Sequence, residues 1–380
     1  MNIGIITNRF SQGEGQGRVN FEIARIAAEK GHEVTCIAHQ VHPDLHVHPS
    51  ISWIQMPDAN WPAAVIGNQR FARASTRWLQ DYVDAFDVVV GNGFNTWFPV
   101  DLSIVHFVHS AWRHSPVHDA RVRQGPSAWY QWLYSWLNAR LEQQVLTRAQ
   151  TIVAVSRKVK EELIATGLPP ESIQVIHNGV DTDEFRPGPV DRSALGVPTD
   201  VPLAFFAGDI RTPRKNLDSV LHALDGTPGL HLAVAGSTDR SPFPALASRL
   251  GLSERVHFLG FRKDIADLMR AADFFVFPSR YEACSLVLLE AMASGLPIVT
   301  AQTAGGAELV DNECGVVLDD PDNTNQLATT LHELAHDPAR RNRMSNHARS
   351  RALEHTWSHM AEDYLTLMEQ GQAHLPVVET

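Results

Sequence analysis

Short apolar runs alternate with longer amphipathic stretches along this chain. Ile3 to Thr7, Val34 to Ala38, Val88 to Val90 and Ile104 to Val108 read as strands. Phe21 to Lys30, Ser127 to Arg148 and Lys158 to Thr166 read as helices, the first ended by Gly31. This is the rhythm of a parallel α/β sheet wrapped on both faces. A turn-rich stretch from Phe185 to Asp191 and from Gly196 to Pro202 breaks it and predicts a linker. A second series begins at Leu203 to Gly208. It continues through His231 to Ala235, Val256 to Leu259, Phe274 to Phe277, Ile298 to Thr300 and Gly315 to Leu318, with a helical tail from about Trp357.

Composition fits that division. With 380 residues, 44% apolar and 20% charged, the chain suits two domains of ordinary size. A net charge of −11 argues against nucleic acid as a partner. Arg113 to Lys160 is nevertheless locally basic: Arg113, Arg121, Arg123, Arg140, Arg148, Arg157, Lys158 and Lys160 stand against Asp119 and Glu142. Within it Trp129, Trp132 and Trp136 share one helical face, which suits either a membrane surface or packing on the sheet. Three cysteines without a paired spacing predict no disulfide framework and a reducing compartment. The start, Met1 to Thr7, reads as a strand and not a signal peptide, and no apolar run reaches the length that spans a bilayer. The expected location is cytoplasmic, with a peripheral place at the inner face of the membrane as the variant.

The run Pro278 to Met292 carries the chemistry. It follows the apolar Phe274 to Phe277, and it holds Glu282 and Glu290 eight positions apart. The first glutamate falls in a strand-to-helix loop and the second inside the helix. Backbone N–H groups near Ser285, Leu286 and Val287 are helix-start donors, which form an anion site. Carboxylates for hydroxyls beside donors for phosphate are what a nucleotide sugar requires.

This run, with its continuation Ala293-Ser294-Gly295-Leu296-Pro297, resembles the E-x7-E motif of retaining glycosyltransferases of family 4. The resemblance extends over essentially the whole chain, and is nearest to enzymes of lipopolysaccharide-core and surface-glycan synthesis. It implies the GT-B fold: two doubly wound Rossmann-like domains with a central cleft and a C-terminal helix crossing back to the first. The boundaries expected are an acceptor-side domain over 1–186, a linker over 187–202, a nucleotide-sugar domain over 203–356 and the returning helix over 357–380.

The other motifs fit the same reading. Ser11 to Arg18 is glycine-rich before a helix, and Gly15 and Gly17 are expected at the donor. Its spacing is not that of dinucleotide folds, and Ala38-His39-Gln40 offers no acid for an adenosine ribose, which argues against an NAD enzyme. Gly208 to Asp218 is similar to the family's diphosphate-holding segment, with Lys215 as its lysine. Asp209 stands where many members have arginine. The second cation then falls to Arg211 or Arg214, with Arg211 preferred because Arg214 adjoins Lys215. His109 is the strand-end histidine expected at the reacting sugar, ahead of His106. Asn178-Gly179-Val180-Asp181 is a tight turn of mainly architectural role, and the D-x-D of Asp181 and Asp183 is discounted as a metal motif. The Gly305-Gly306 loop and the stretch ending at Arg262 are expected near the donor.

The resemblance therefore implies a retaining hexosyl transfer from a nucleotide diphosphate sugar, uridine favoured and GDP-mannose the alternative, to a glycan or glycolipid hydroxyl, with no metal or other cofactor. Glu290 would hold the ribose, Glu282 the donor sugar, and Lys215, an arginine and the helix start the diphosphate. The competing readings are a catalytically inactive nucleotide- or glycan-binding protein, which Asp209 keeps in view, and an epimerase of the same fold.

Overall fold

The computed structural model describes residues 1–13, 15–59, 64–122 and 125–372; Glu14 of the glycine stretch and Arg123 of the basic segment lie outside the described residues. The chain divides into two compact units, Met1–Gly179 with Trp357–Thr380, and Val180–Thr356.

Among the described residues the first unit has a seven-stranded sheet. Its order is Ile51–Gln55, Glu33–Ala38, Asn2–Ile6, Val88–Asn92, Leu102–Val105, Thr151–Ala154 and Ile173–Val175. All its pairings are parallel, so each strand must be followed by a crossover. The outermost strand, Ile51–Gln55, and the helix Ala64–Tyr82 after it carry no strong apolar signal. The strand pairs along one edge only and stays half exposed. The helix Trp357–Gln372 packs on the helix Gly15–Glu29; Lys30 meets Glu362 at 2.7 Å, and the Arg18 guanidinium lies 5.4 Å from the Trp357 ring.

The second unit carries a six-stranded parallel sheet among the described residues. Its order is Val256–Gly260, His231–Ala235, Leu203–Ala207, Phe274–Phe277, Ile298–Ala301 and Gly315–Leu318. Phe205, Phe206 and Phe274 to Phe277 are fully buried, and helices such as Leu217–Asp225 lay apolar side chains against them. Each sheet reverses its strand order once. In the second unit the reversal lies between Leu203–Ala207 and Phe274–Phe277, and open α/β sheets bind ligands at the carboxyl ends of strands at such a point.

Three expectations need correction. The division falls at Gly179, not in a linker over 187–202. Val180 and Phe185 are buried in the second unit's core, and Val190 and Leu195 pack against it. The turn-rich composition there marks a surface strap, not a boundary. The glycine stretch is not a loop throughout: the helix begins at Gly15 and contains Gly17, because a helix's first turn tolerates residues that its middle does not. Finally, the strand expected over Ile104 to Val108 is Leu102–Val105, and His109 opens a short helix, His109–His114.

Candidate functional site

The site begins where the strand Leu203–Ala207 ends. Gly208 has φ 156°, a backbone conformation that residues with a side chain rarely adopt, and the Lys215 stem lies alongside it, in ordinary contact range (3.5 Å) of where a methyl group would stand. A 3-10 turn, Pro213–Lys215, is closed by Asn216 in the left-handed region at φ 65°. Asn216 is fully buried, and its amide donates to the carbonyls of Pro278 at 3.0 Å and Pro321 at 2.6 Å. That fastening holds the turn against the loop leaving the neighbouring strand.

Glu282 stands in that loop. Lys215 Nζ lies 2.6 Å from Glu282 Oε1, and both side chains are nearly buried. The ammonium also sits 5.0 Å from the Phe277 ring centre, and Arg214 Nη1 lies 3.9 Å from the same carboxylate oxygen. Burial pulls the Lys215 pKa below its ordinary value, and the Glu282 charge opposes that pull. Backbone bonds fix the glutamate. Its N–H donates to Thr303 O at 3.3 Å, its carbonyl accepts from Gly305 N–H at 2.9 Å, and Ser285 N–H donates to Gly305 O at 2.9 Å. Gly305 is obligatory there, since a methyl group on it would fall 1.8 Å from the Ala283 carbonyl oxygen.

Ser285 is the N-cap of the helix Leu286–Ala293, which carries the half-buried Glu290. The N–H groups of Leu286 and Val287 belong to its first turn, where no intrahelical acceptor is within reach. The expected Ser285 donor is not available, because Gly305 O takes it.

Arg280 was not anticipated, although it lies inside the motif. Its guanidinium meets Asp218 at 2.9 and 2.7 Å, Asp322 at 2.7 Å and the Pro213 carbonyl at 2.7 Å, while its N–H donates to Arg214 O at 2.9 Å. One side chain thus ties the cation-bearing turn to the Glu282 loop. Nothing local distinguishes it from a solvated arginine, because its partners come from distant segments.

Other predicted residues are placed differently. Arg211, the preferred second cation, makes an exposed two-pronged pair with Asp209 at 2.8 and 3.0 Å, and that bond holds the Asp209 carboxyl below its usual range. Asp209 removes the very cation that was to compensate for it, and Arg214 is the arginine beside Glu282. Arg262 is held by Asp264, and the structure brings it into no contact with Glu282 or Lys215 among the described residues. Asp181 caps its own turn, its carboxylate accepting from Asp183 and Glu184 N–H at 3.1 and 3.0 Å. Cys36, Cys284 and Cys314 are all free thiols.

Gly15, Gly17 and the two histidines belong to the first unit. A methyl group on Gly17 would come 2.3 Å from Ser11 Oγ, so this glycine permits close approach of the preceding loop. His106 bonds Asn92 at 3.1 Å within a cluster that includes the reciprocal amide pair of Asn20 and Asn92. The His109 ring lies edge-on to Phe107 and Tyr134, and the residue's backbone N–H donates to the Glu142 carboxylate at 3.0 Å. Burial pushes both histidines down to about 4, and it pushes Glu142 up to about 8.

Comparison with known proteins gives the family and the fold. The family described as Glycosyltransferase Family 4 matches residues 13–184, and that described as Glycosyl transferases group 1 matches 189–351. D-inositol 3-phosphate glycosyltransferase of Mycolicibacterium smegmatis is 31% identical over 293 residues, covering 74% of this chain and 66% of that one. The protein of the same name from Mycobacterium tuberculosis strain H37Ra is 36% identical over 220 residues, covering 55% and 45%. The matched stretches thus span about two thirds or less of these relatives. Among solved structures, sucrose-phosphate synthase from Thermosynechococcus elongatus superposes with a TM-score of 0.80 at 20% identity, covering 98% of this chain and 100% of that one. WaaG, a glycosyltransferase of lipopolysaccharide biosynthesis, gives 0.71 at 23%, covering 96% and 99%. Anabaena HepE in complex with UDP-glucose gives 0.68 at 20%, covering 97% and 100%. These likenesses concern the fold, which is GT-B.

Proposed function

This chain belongs to glycosyltransferase family 4, and we propose that it moves a sugar from a nucleotide diphosphate sugar to a hydroxyl of a glycan or glycolipid, with retention at the anomeric carbon. The observation that carries this reading is the Lys215–Glu282 pair at the strand-order reversal of the second unit, with Arg214 beside it and a helix start just beyond. Glu290 holds the ribose hydroxyls and Glu282 those of the sugar. Lys215, Arg214 and the N–H groups of Leu286 and Val287 receive the diphosphate. Fixed positive groups act most strongly as the leaving group gains charge. The bond from the anomeric carbon to the diphosphate oxygen breaks, and the acceptor oxygen bonds to that carbon on the same face. The acceptor's proton leaves with the diphosphate. A uridine donor is favoured by the UDP-glucose held in Anabaena HepE, a protein of the same fold.

Thermal unfolding with UDP-glucose, UDP-galactose and GDP-mannose tests the donor assignment, because a ligand bound to the folded state alone raises apparent stability. A rise with one of them that Glu290→Ala largely abolishes is expected. An equal rise in the variant, or none with any donor, overturns the reading. Release of the nucleoside diphosphate only when an acceptor is added then separates transfer from binding alone.

A further inference from the structure

The helix Pro126–Leu146 turns a polar stripe inward. Ser135, Asn138 and Glu142 stand at i, i+3 and i+7, one helical face, and all three are buried. The helix packs on the short helices His109–His114 and Asp119–Val122. Glu142 accepts the backbone N–H of His109 at 3.0 Å, and Ser135 Oγ lies 2.9 Å from His118 Nε2. His118 Nδ1 accepts from Ala120 N–H at 3.1 Å, so in the neutral ring Nε2 carries the proton and donates it to Ser135. Both ends of the segment from His109 to His118 are thus fastened to one helix.

Of the two fastenings, Glu142 is the one that folding disfavours. Its carboxyl is buried, and among the described residues no cation pairs with it. The Glu162 charge, itself paired with Lys158, acts against its ionisation. Burial raises its pKa to about 8, so near neutral pH the uncharged acid prevails. An apolar side chain of similar size would occupy the place without the cost of burying a carboxyl. Stability does not account for the residue, and what it holds does.

It holds the first residue of a helix that begins just past the strand Leu102–Val105. Ligands of open parallel sheets bind at the carboxyl ends of strands, which is where this histidine stands. The first N–H groups of a helix have no intrahelical acceptor, and the N-cap here, Val108, has no side-chain oxygen to offer. Glu142 supplies the missing acceptor from another helix. The His109 ring packs edge-on against Phe107 and Tyr134 with its Nδ1 buried and unpartnered, which leaves Nε2 to meet a ligand.

We propose that Glu142 is a positioning residue for the transfer reaction: it fixes where the helix His109–His114 begins, and with it the placing of the His109 ring at the reacting sugar. This rests on the transfer reading above and on His109 serving that sugar. Glu142 touches no substrate and acts through the main chain of His109, so any side chain that presents an acceptor oxygen at the same place can do its work.

The test compares Glu142→Gln, which keeps an acceptor oxygen for His109 N–H, with Glu142→Leu, which removes it. Nucleoside diphosphate release is followed from UDP-glucose, UDP-galactose or GDP-mannose, whichever raises the melting temperature, with methyl glucoside, N-acetylglucosamine, myo-inositol and water as acceptors. Glu142→Leu should lower kcat by about 100-fold with the donor KM unchanged, as a displaced group does, and Glu142→Gln should stay close to wild type. Amide exchange over His109–His114 should quicken in the leucine variant alone. In a His109→Ala background Glu142→Leu should have no further effect on kcat, because the two changes then remove one interaction. The donor-induced thermal shift should be the same in every variant. If Glu142→Leu does not melt cooperatively, Glu142→Asp, which withdraws the oxygen by one methylene, takes its place. A wild-type kcat in the leucine variant, unchanged amide exchange, or effects of His109→Ala and Glu142→Leu that simply multiply each overturn the proposal. A wild type that binds a donor and releases nothing removes the transfer reading, and the proposal with it.

Discussion

Lys215 and Glu282 lie 67 positions apart in sequence and 2.6 Å apart in space. They meet because their loops leave the two strands that flank the reversal of strand order, Leu203–Ala207 and Phe274–Phe277. Removing the cation strands a nearly buried carboxylate. Lys215→Ala should therefore cost about 3 kcal/mol in urea unfolding. Adding Glu282→Gln should recover part of that loss. If the double variant is as unstable as the sum of the singles, the two side chains are not coupled.

Gly305→Ala tests the zipper between the Glu282 loop and the next strand's loop. The new methyl group would overlap the Ala283 carbonyl oxygen, so the loops must part. A loss of about 3 kcal/mol is expected, together with loss of any donor-induced thermal shift. Gly13→Ala, with nothing within 4 Å of the added methyl, is the control and should stay within about 0.5 kcal/mol of wild type.

Arg280→Lys keeps the charge but cannot span Asp218, Asp322 and the Pro213 carbonyl at once. Denaturant unfolding should show a loss of about 2 kcal/mol. Donor affinity should fall as well, since the turn bearing Arg214 and Lys215 is then tied less firmly to the Glu282 loop. Unchanged donor affinity in a destabilised Arg280→Lys would reduce this residue to a structural one.

The pH dependence of stability should be shaped by Glu142, His106 and His109. Burial raises Glu142 to about 8, so between its ordinary range and that value the unfolded chain has already released a proton that the folded chain keeps. Stability on that account falls as pH rises from about 5 to 8. The two histidines, lowered to about 4, act the other way: below their ordinary value the unfolded chain binds protons that the folded chain refuses. Their contribution is lost as pH falls from about 6.5 to 4. Glu142→Gln should flatten the alkaline slope and leave the acidic one. Melting temperatures of both proteins from pH 5 to pH 8 check this, and parallel curves would contradict it.

The parts of the site that were legible in the sequence are those carried by contiguous residues. Glu282, Glu290 and the helix start lie within one run whose apolar strand and good helix formers leave little freedom in placement. Capping is local in the same way: the Ser156 hydroxyl accepts from Val159 N–H at 3.1 Å at the start of the helix Arg157–Ala165. What escaped depended on partners remote in sequence or on orientation. Arg211 and Arg214 look alike in one dimension, and the difference between them is where Asp209 points. The spacing of Trp129, Trp132 and Trp136 defined a helical face without telling which way it looks. That direction is set by Ser135, Asn138 and Glu142 turning inward. The helix beginning at Gly15 was read as a loop because three glycines outweighed the good formers beyond them.

The first unit is made of two separated stretches of chain, with the second unit spliced between them. Val180 pairs with Thr356, and its N–H donates to His355 O at 2.9 Å, so the inserted piece enters and leaves at one seam. During synthesis this reverses the usual order in which domains mature. The ribosome delivers every residue of the inserted piece before it makes the helix that buries Met360, Tyr364, Leu365 and Met368 in the earlier one. The half begun first is the half completed last, and its incomplete apolar surface must be kept from aggregating while some 180 further residues are threaded out.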